Sequence, residues 1–393
     1  MTDGKRSWAR GRLAELLDLE VPIVQGPFGG GLSSVALTSA VSEGGGLGSY
    51  GAHILTPDGI GELVSELRKA TARPFAVNLW VPHPDEAAAP SDRDRTARYA
   101  ELLRPWFEEL DLSTSQLEEP PPAPGFEEQI DALLAAEPPV ISFVMGIPEA
   151  RVLDEARRRS IRTIGTATTV EEALAIEAAG MDAVVASGSD AGGHRGSFLR
   201  PVNESLVGTF SLVPQVAQVV SIPVVAAGGI ADGRGIAAAL TLGADGVQIG
   251  TGFLATEESG ASALHRAALH GPDARTTVLT RAFSGRLARA IPNRFTREAL
   301  VYENELAPYP IQYTLTRPLR TAATERGLAD YVNLWSGQAA ALTQPRGAIA
   351  YLDELIVGTE AALSRPAPGH LRPSRSAMNN DTGAVTRTPG EMA

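Results

Sequence analysis

Six histidines and no cysteine define what this 393-residue chain has for acid–base and nucleophilic chemistry. His194 stands out among them. It sits in Asp190-Ala191-Gly192-Gly193-His194-Arg195-Gly196, a polar, glycine-rich loop rather than an apolar run. An imidazole with a near-neutral pKa in such a loop is the best-placed general base in the chain, with a ligand-orienting role as the plainer alternative. His265 and His270 are five apart and so diverge by about 140° around a helix, which is poor spacing for shared metal ligation. His53, His83 and His370 have no Asp, Glu or His constellation beside them in sequence and read as surface residues. No metal site is expected.

Two further glycine-rich stretches could receive an anion. One run closes as Ala227-Gly228-Gly229-Ile230-Ala231-Asp232-Gly233-Arg234, and another as Gln248-Ile249-Gly250-Thr251-Gly252. Paired glycines let backbone N–H groups approach a phosphate, and a helix starting just beyond would add the positive end of its dipole. A third match, Gly46-Leu47-Gly48-Ser49-Tyr50-Gly51, fits G-x-G-x-x-G but follows a helical stretch and itself lies on a strand. The dinucleotide fingerprint requires the opposite order, so this match is set aside.

These loops must be held by a scaffold, and the chain shows one. Eight short apolar runs, Pro22–Gln25, Gly46–Tyr50, Pro74–Leu79, Val140–Met145, Thr163–Thr166, Asp182–Ala186, Pro223–Ala227 and Gly246–Ile249, alternate with Ala/Leu-rich helical segments. Eight βα units predict an α/β fold, a (β/α)8 TIM barrel, whose site lies at the C-terminal ends of the strands and whose phosphate cradle follows strands seven and eight. The two glycine loops fall on those two strands.

The predicted organisation is a barrel over residues 1–258, a small lid or substrate domain inserted over 259–330, a closing helix over 331–365 and a disordered tail over 366–393. The insertion carries Arg286, Arg289, Arg294, Tyr302, Tyr309 and Tyr313, cations and phenols suited to an anionic substrate. From Phe107 to Glu137 nine carboxylates occur without Lys or Arg, around a proline cluster, which predicts a solvated surface excursion.

Composition narrows the classes. The chain is 44% hydrophobic and 20% charged, as in ordinary globular proteins, and its net charge of −12 argues against a nucleic-acid surface. No apolar leader opens the sequence, so a cytoplasmic protein without membrane attachment is expected and the sequons at Asn203 and Asn380 carry no meaning. Walker A, Gly-x-Ser-x-Gly and His-Glu-x-x-His patterns do not occur.

Taken together, Gln25-Gly26-Pro27-Phe28-Gly29-Gly30-Gly31, Asn78 after the third run, the Asp190–Gly196 loop, Ala227–Arg234 and Gln248–Thr251 resemble the nitronate monooxygenase family, formerly 2-nitropropane dioxygenases. The resemblance resumes at Arg281-Ala282-Phe283-Ser284-Gly285-Arg286 and Trp335-Ser336-Gly337-Gln338. It implies an FMN-dependent barrel enzyme that oxidises alkyl nitronates or nitroalkanes with O2 to a carbonyl compound and nitrite, with His194 as the catalytic base. It also implies a cofactor-binding set of Gln25, Gly26, Pro27, Phe28, Gly29, Asn78, Ser187, Gly192, Gly193, Gly228, Gly229, Gln248, Ile249, Gly250 and Thr251. Family habit makes a homodimer the expected assembly.

The chain departs from the family at Ser187, where many members have Gln, at Asp190 for Glu and at Phe28 for Met. These changes alter hydrogen bonding and pocket shape, and so bear on substrate choice, including a specialised-metabolism compound. The nearest rival reading is an FMN-dependent enoyl-acyl-carrier-protein reductase that uses NAD(P)H. Barrels resembling inosine-monophosphate dehydrogenase and one class of dihydroorotate dehydrogenase rely on a Cys that this chain lacks. A flavin-binding protein without turnover is the non-enzymatic alternative.

Overall fold

The computed structural model describes residues 7–82, 93–114 and 125–364. Among these, all eight expected runs form parallel strands of one sheet: β1 (Ile23–Gln25), β2 (Gly48–Gly51), β3 (Phe75–Trp80), β4 (Val140–Val144), β5 (Arg162–Ala167), β6 (Ala183–Ser187), β8 (Val224–Ala227) and β9 (Gly246–Ile249). Intervening β7 (Gly193–His194) belongs to a second, three-stranded sheet with β10 (Val278–Thr280) and β11 (Ala288–Ala290). The large sheet runs β1-β9-β8-β6-β5-β4-β3-β2, and Leu47 bridges its ends through Leu47 N–H to Ile23 O and Gln25 N–H to Leu47 O, each 2.9 Å. The result is a (β/α)8 TIM barrel.

The strand sequences explain the closure. Buried on both faces, they are almost wholly apolar, and their side chains alternate between two cores. Ala183, Val185, Val225 and Ala227 join Leu13 and Leu17 of the N-terminal helix Arg12–Leu17 inside the barrel, whereas Val184, Ala186, Val224 and Ala226 face the surrounding helices. Among the described residues no helix is long and apolar enough to cross a membrane.

The barrel's last helix is shorter than expected. It spans Ala348–Leu363, while residues 331–347 form 3-10 turns and irregular backbone interrupted by Gly337, Pro345 and Gly347, which offer little helical propensity. It still closes the ring. Gly358 lies against Gly233 of the helix Gly233–Thr241 so closely that a Cβ at Gly233 would overlap the Gly358 carbonyl carbon.

A second apolar core covers the C-terminal mouth. It joins Phe283, Phe295, Leu315 and Leu319 of residues 259–330, with Tyr331 just beyond, to Trp106 and Phe107 of the helix Arg93–Glu109. The acidic stretch is therefore not simply a solvated excursion. Its helix Phe126–Ala136 buries Ile130, Leu133 and Leu134. Some of its carboxylates meet arginines of other elements: Glu109 with Arg294, Asp131 with Arg151 and Glu137 with Arg159. Counting charges missed the apolar residues that recur at helical spacing beneath them. The proline cluster, His83, His370 and the tail expected to be disordered lie outside the described residues.

Candidate active site

At the C-terminal ends of the strands lies a cavity of about 360 Å³, and His194 lines it. The histidine is presented by two sets of contacts from the inserted segment. Its backbone pairs with β11, His194 opposite Ala288 and Gly193 opposite Arg289, and Arg195 N–H donates to Leu287 O at 3.0 Å. Its Nε2 lies 2.8 Å from Ser284 Oγ.

Buried charges fix the rest of this loop. Arg195, 2% exposed, donates to the carbonyls of Ser187 at 2.7 Å and Gly188 at 2.8 Å, and Arg289 donates to Ser189 O at 2.8 Å. Desolvation brings the Arg195 pKa down to about 10, so it remains a cation at neutral pH. The Asp190 carboxylate accepts from Thr209 N–H and Oγ1–H, both 2.8 Å. Buried Glu172 accepts from Phe198 N–H at 2.6 Å and Leu199 N–H at 3.1 Å beyond the histidine. A loop tied at so many points holds His194 in one place.

Around the imidazole stands an aromatic wall with the Arg286 guanidinium against it. Trp80, at the end of β3, meets His194 edge-on with ring centroids 5.0 Å apart and stacks on His53 at 3.8 Å with planes 7° apart. Trp335 lies 5.2 Å from His194, and the Arg286 guanidinium carbon is 5.1 Å from the Tyr309 ring centre and 5.8 Å from that of Trp80. Desolvation, with the Arg286 charge second, pushes the pKa of both His194 and His53 down to about 3. Both imidazoles are therefore neutral at physiological pH. Among the described residues no Asp or Glu lines the cavity.

Most residues of the expected cofactor set do line it: Gly26, Pro27, Phe28 and Gly29 on one side, Asn78, Ser187, Gly192 and Gly193 next, then Gly228, Gly229, Gln248, Gly250 and Thr251. Two do not. Gln25 is fully buried behind the wall, accepting from Ser49 N–H at 2.9 Å, and Ile249 packs in the core between strands and helices. Both lie on β1 and β9 within the sheet, where alternation turns their side chains away from the mouth.

The helix after β8 also differs from expectation. Its first amides, Arg234 N–H and Gly235 N–H, each donate to Asp232 Oδ1 at 3.0 Å, so that terminus is capped from within the chain. What the loop offers an anion is the bare backbone of Gly228 and Gly229, with φ of 109° and 70°. Of the cationic and phenolic residues expected to meet a substrate, Tyr309 and Tyr313 line the cavity, and Arg286 lies against the rings of Tyr309 and Trp80. Arg289 turns to the loop carbonyls, Arg294 pairs with Glu109 and Glu298, and Tyr302 packs on Trp106.

Sequence reading missed His53, Trp80, Trp335 and Arg320, all of which line the cavity. Trp80 could have been suspected from its place at the end of a barrel strand. His53 and Trp335 are brought in by loops and Arg320 by the helix Arg317–Glu325, whose placement sequence does not reveal.

The wall suits a flat cofactor with a phosphate. A Cβ on Gly250 would find only the Phe28 ring, at 3.8 Å, and one on Gly229 only Asp190, at 3.4 Å, and both glycines line the cavity. Bare backbone and the absence of carboxylates from the wall among the described residues are what an anionic planar group requires.

The sequence model of the family described as "Nitronate monooxygenase" matches residues 10–357. This chain belongs to the nitronate monooxygenase family. A probable nitronate monooxygenase from Staphylococcus aureus strain Newman is 42% identical over 354 residues, covering 89% of this chain and 97% of that protein. Among solved structures, nitroalkane oxidase from Streptomyces ansochromogenes superposes with a TM-score of 0.82 at 41% identity, covering 90% of this chain and 99% of that one. FabK from Thermotoga maritima reaches 0.70 at 29% identity, covering 90% and 97%. As a nitronate monooxygenase family member the chain is a flavin-dependent oxidoreductase.

Proposed function

We propose that this enzyme uses FMN to oxidise alkyl nitronates or nitroalkanes with O2, giving a carbonyl compound and nitrite, with His194 as the group that meets the substrate's α-carbon or nitro oxygens. The observation that carries this reading is a neutral imidazole, His194, on the wall of a glycine-lined cavity whose described lining has no carboxylate. Gly228, Gly229, Gly250 and Thr251 would hold the phosphate, with Asn78, Gln248 and the Gly26–Gly29 loop along the ring system. Asn78 Nδ2 is engaged by Ser142 O and Oγ at 3.1 and 3.0 Å, which fixes the amide's orientation. Bound FMN supplies the electron transfer and oxygen chemistry.

The chain's own groups orient the substrate and hold protons. Arg286, among Tyr309, Trp80 and His194, favours an anion at this end of the cavity. A neutral His194 accepts a proton from the α-carbon of a nitroalkane, while toward a nitronate, which has already lost that proton, it only hydrogen-bonds. Its lowered pKa makes it a weak base, so the ionised nitronate is the better substrate. Trp80, Trp335 and Tyr309 exclude water around the imidazole.

Anaerobic addition of nitronate to the purified yellow protein tests the reading: bleaching by nitronate, followed by nitrite release on admitting O2, is expected. A second reading, an NAD(P)H-dependent enoyl reductase, is favoured by the structural likeness to FabK. Rapid bleaching by NADPH and none by nitronate would establish it instead.

A further inference from the structure

Among the described residues five non-glycine side chains stand on left-handed backbone, and four of them follow the ends of helices. Asp18 and Glu137 cap the helices Arg12–Leu17 and Phe126–Ala136, while Asp111 and Ser160 lie just beyond the helices Arg93–Glu109 and Ala150–Arg158. A left-handed residue is a common way for a helix to stop. Met145 is different: it directly follows the strand β4, with φ of 72°.

The side chains of β4 show what that turn does. Val140 points into the barrel, and Ile141 and Phe143 point out to the core under the helices. Alternation makes Val144 face inward and would send Met145 outward with Phe143. Yet Val144 and Met145 both line the cavity, and Met145, 3% exposed, packs into none of the apolar cores of the barrel or its cover. The left-handed backbone, unfavourable for an L residue, turns Met145 back to the mouth. There its Sδ rests against Arg286 Nη1. Beside it, a Cβ on Gly196 would overlap Val144 Cγ2 at 2.6 Å and lie 3.8 Å from both Met145 N and Thr166 Cγ2. Val144, Met145 and Thr166 thus meet around a glycine of the His194 loop.

We propose that Met145 is a specificity-determining residue: with Val144 and Thr166 it forms the apolar wall that takes the substrate's alkyl group and limits its length. Strained backbone persists at a site where the side chain it aims has a use. The alkyl group would run along this wall from an α-carbon at His194, with the nitro oxygens toward Arg286. That assignment of ends rests on the proposed function; the apolar wall does not.

The test uses the flavin-loaded protein and two series of anions of rising chain length, the nitronates of nitroethane to nitrohexane and the carboxylates propionate to heptanoate. Met145→Gly deepens the wall, so the ratio of kcat/KM for the nitrohexane anion to that for the nitroethane anion should rise about 10-fold or more, the scale of a methylene in an apolar pocket. Calorimetric Kd values should shift in favour of heptanoate over propionate in the same way, and Met145→Ala should move both ratios in the same direction. Met145→Gly should also resist denaturant better than Met145→Ala, because alanine keeps the left-handed strain that glycine relieves. An unchanged length ratio in either series, or a Met145→Gly less stable than Met145→Ala, overturns the proposal. Carboxylate ratios that shift while no nitronate releases nitrite remove the proposed function and leave the wall assigned.

Discussion

His194 pairs in antiparallel register with Ala288, so the barrel's candidate catalytic residue is also one strand of the sheet built by the insertion. Barrel enzymes place their reactive groups on βα loops, and such loops are mobile unless something holds them. Here the pairing of β7 with β11 supplies that hold.

Replacing His194 by Asn should separate the two substrate forms. Neutral nitroethane needs its α-proton removed, and its turnover should fall by about 10²- to 10⁴-fold. The preformed nitronate needs no such step and should retain most of its rate. Steady-state nitrite release on both forms checks this, and equal losses would rule out the base role.

Arg286 should act on binding. Because it stands over Tyr309 and Trp80 beside His194, Arg286→Ala should raise KM for a nitronate roughly 10-fold or more, the scale of losing a hydrogen bond to a charged group. Arg294→Ala removes a surface cation engaged by Glu109 and Glu298 and should leave KM unaltered. A KM insensitive to Arg286→Ala would move the anion's partner elsewhere.

Gly229→Ala should lose cofactor before it loses the fold. The residue lines the cavity with φ of 70°, which an L side chain rarely adopts, and its Cβ would meet Asp190 at 3.4 Å. The ratio of flavin to protein absorbance after purification should drop, while the far-ultraviolet circular dichroism stays that of the parent.

Acid should destabilise the protein through its neutral imidazoles. His53 and His194 each titrate near 6.5 when unfolded and at about 3 when folded, so between these values the unfolded chain binds more protons. Their contribution is whole above about pH 6.5 and erodes as pH falls toward about 3, by up to ~1.4 kcal/mol per pH unit for each ring. His53→Asn should flatten the fall of Tm measured between about pH 8 and 5. A slope identical to the parent's would show that His53 does not contribute.

Arg195→Met should be costly although the residue lies away from the cavity wall. It strips two buried carbonyls, Ser187 and Gly188, of a charged donor, and a loss of about 3 kcal/mol is expected in chemical denaturation. A loss below about 1 kcal/mol would mean that water takes over both carbonyls.

The barrel was legible because its strands are short apolar runs closed by glycine and spaced by helical segments, a pattern set by local chemistry and burial on both faces. The glycine loops and His194 were legible for the same reason: each is a contiguous stretch whose residue types restrict what it can do. Gln25 and Ile249, named with their neighbours in the motifs, do not line the cavity because strand alternation sends neighbours to opposite sides.

The remaining features required the fold. His53 reads as an ordinary surface residue until Trp80 stacks on it, and the acidic stretch reads as solvated until Trp106 and Phe107 turn inward to the second core. Ser284 acquires meaning only opposite His194, and Arg195 only opposite the carbonyls it grips. Sequence alone determined the scaffold, the candidate imidazole and the bare-backbone loops, all encoded by residues close together in the chain. The imidazole's partners and its electric environment were decided by tertiary structure, because hydrogen bonds and desolvation depend on groups brought within a few ångströms by the fold.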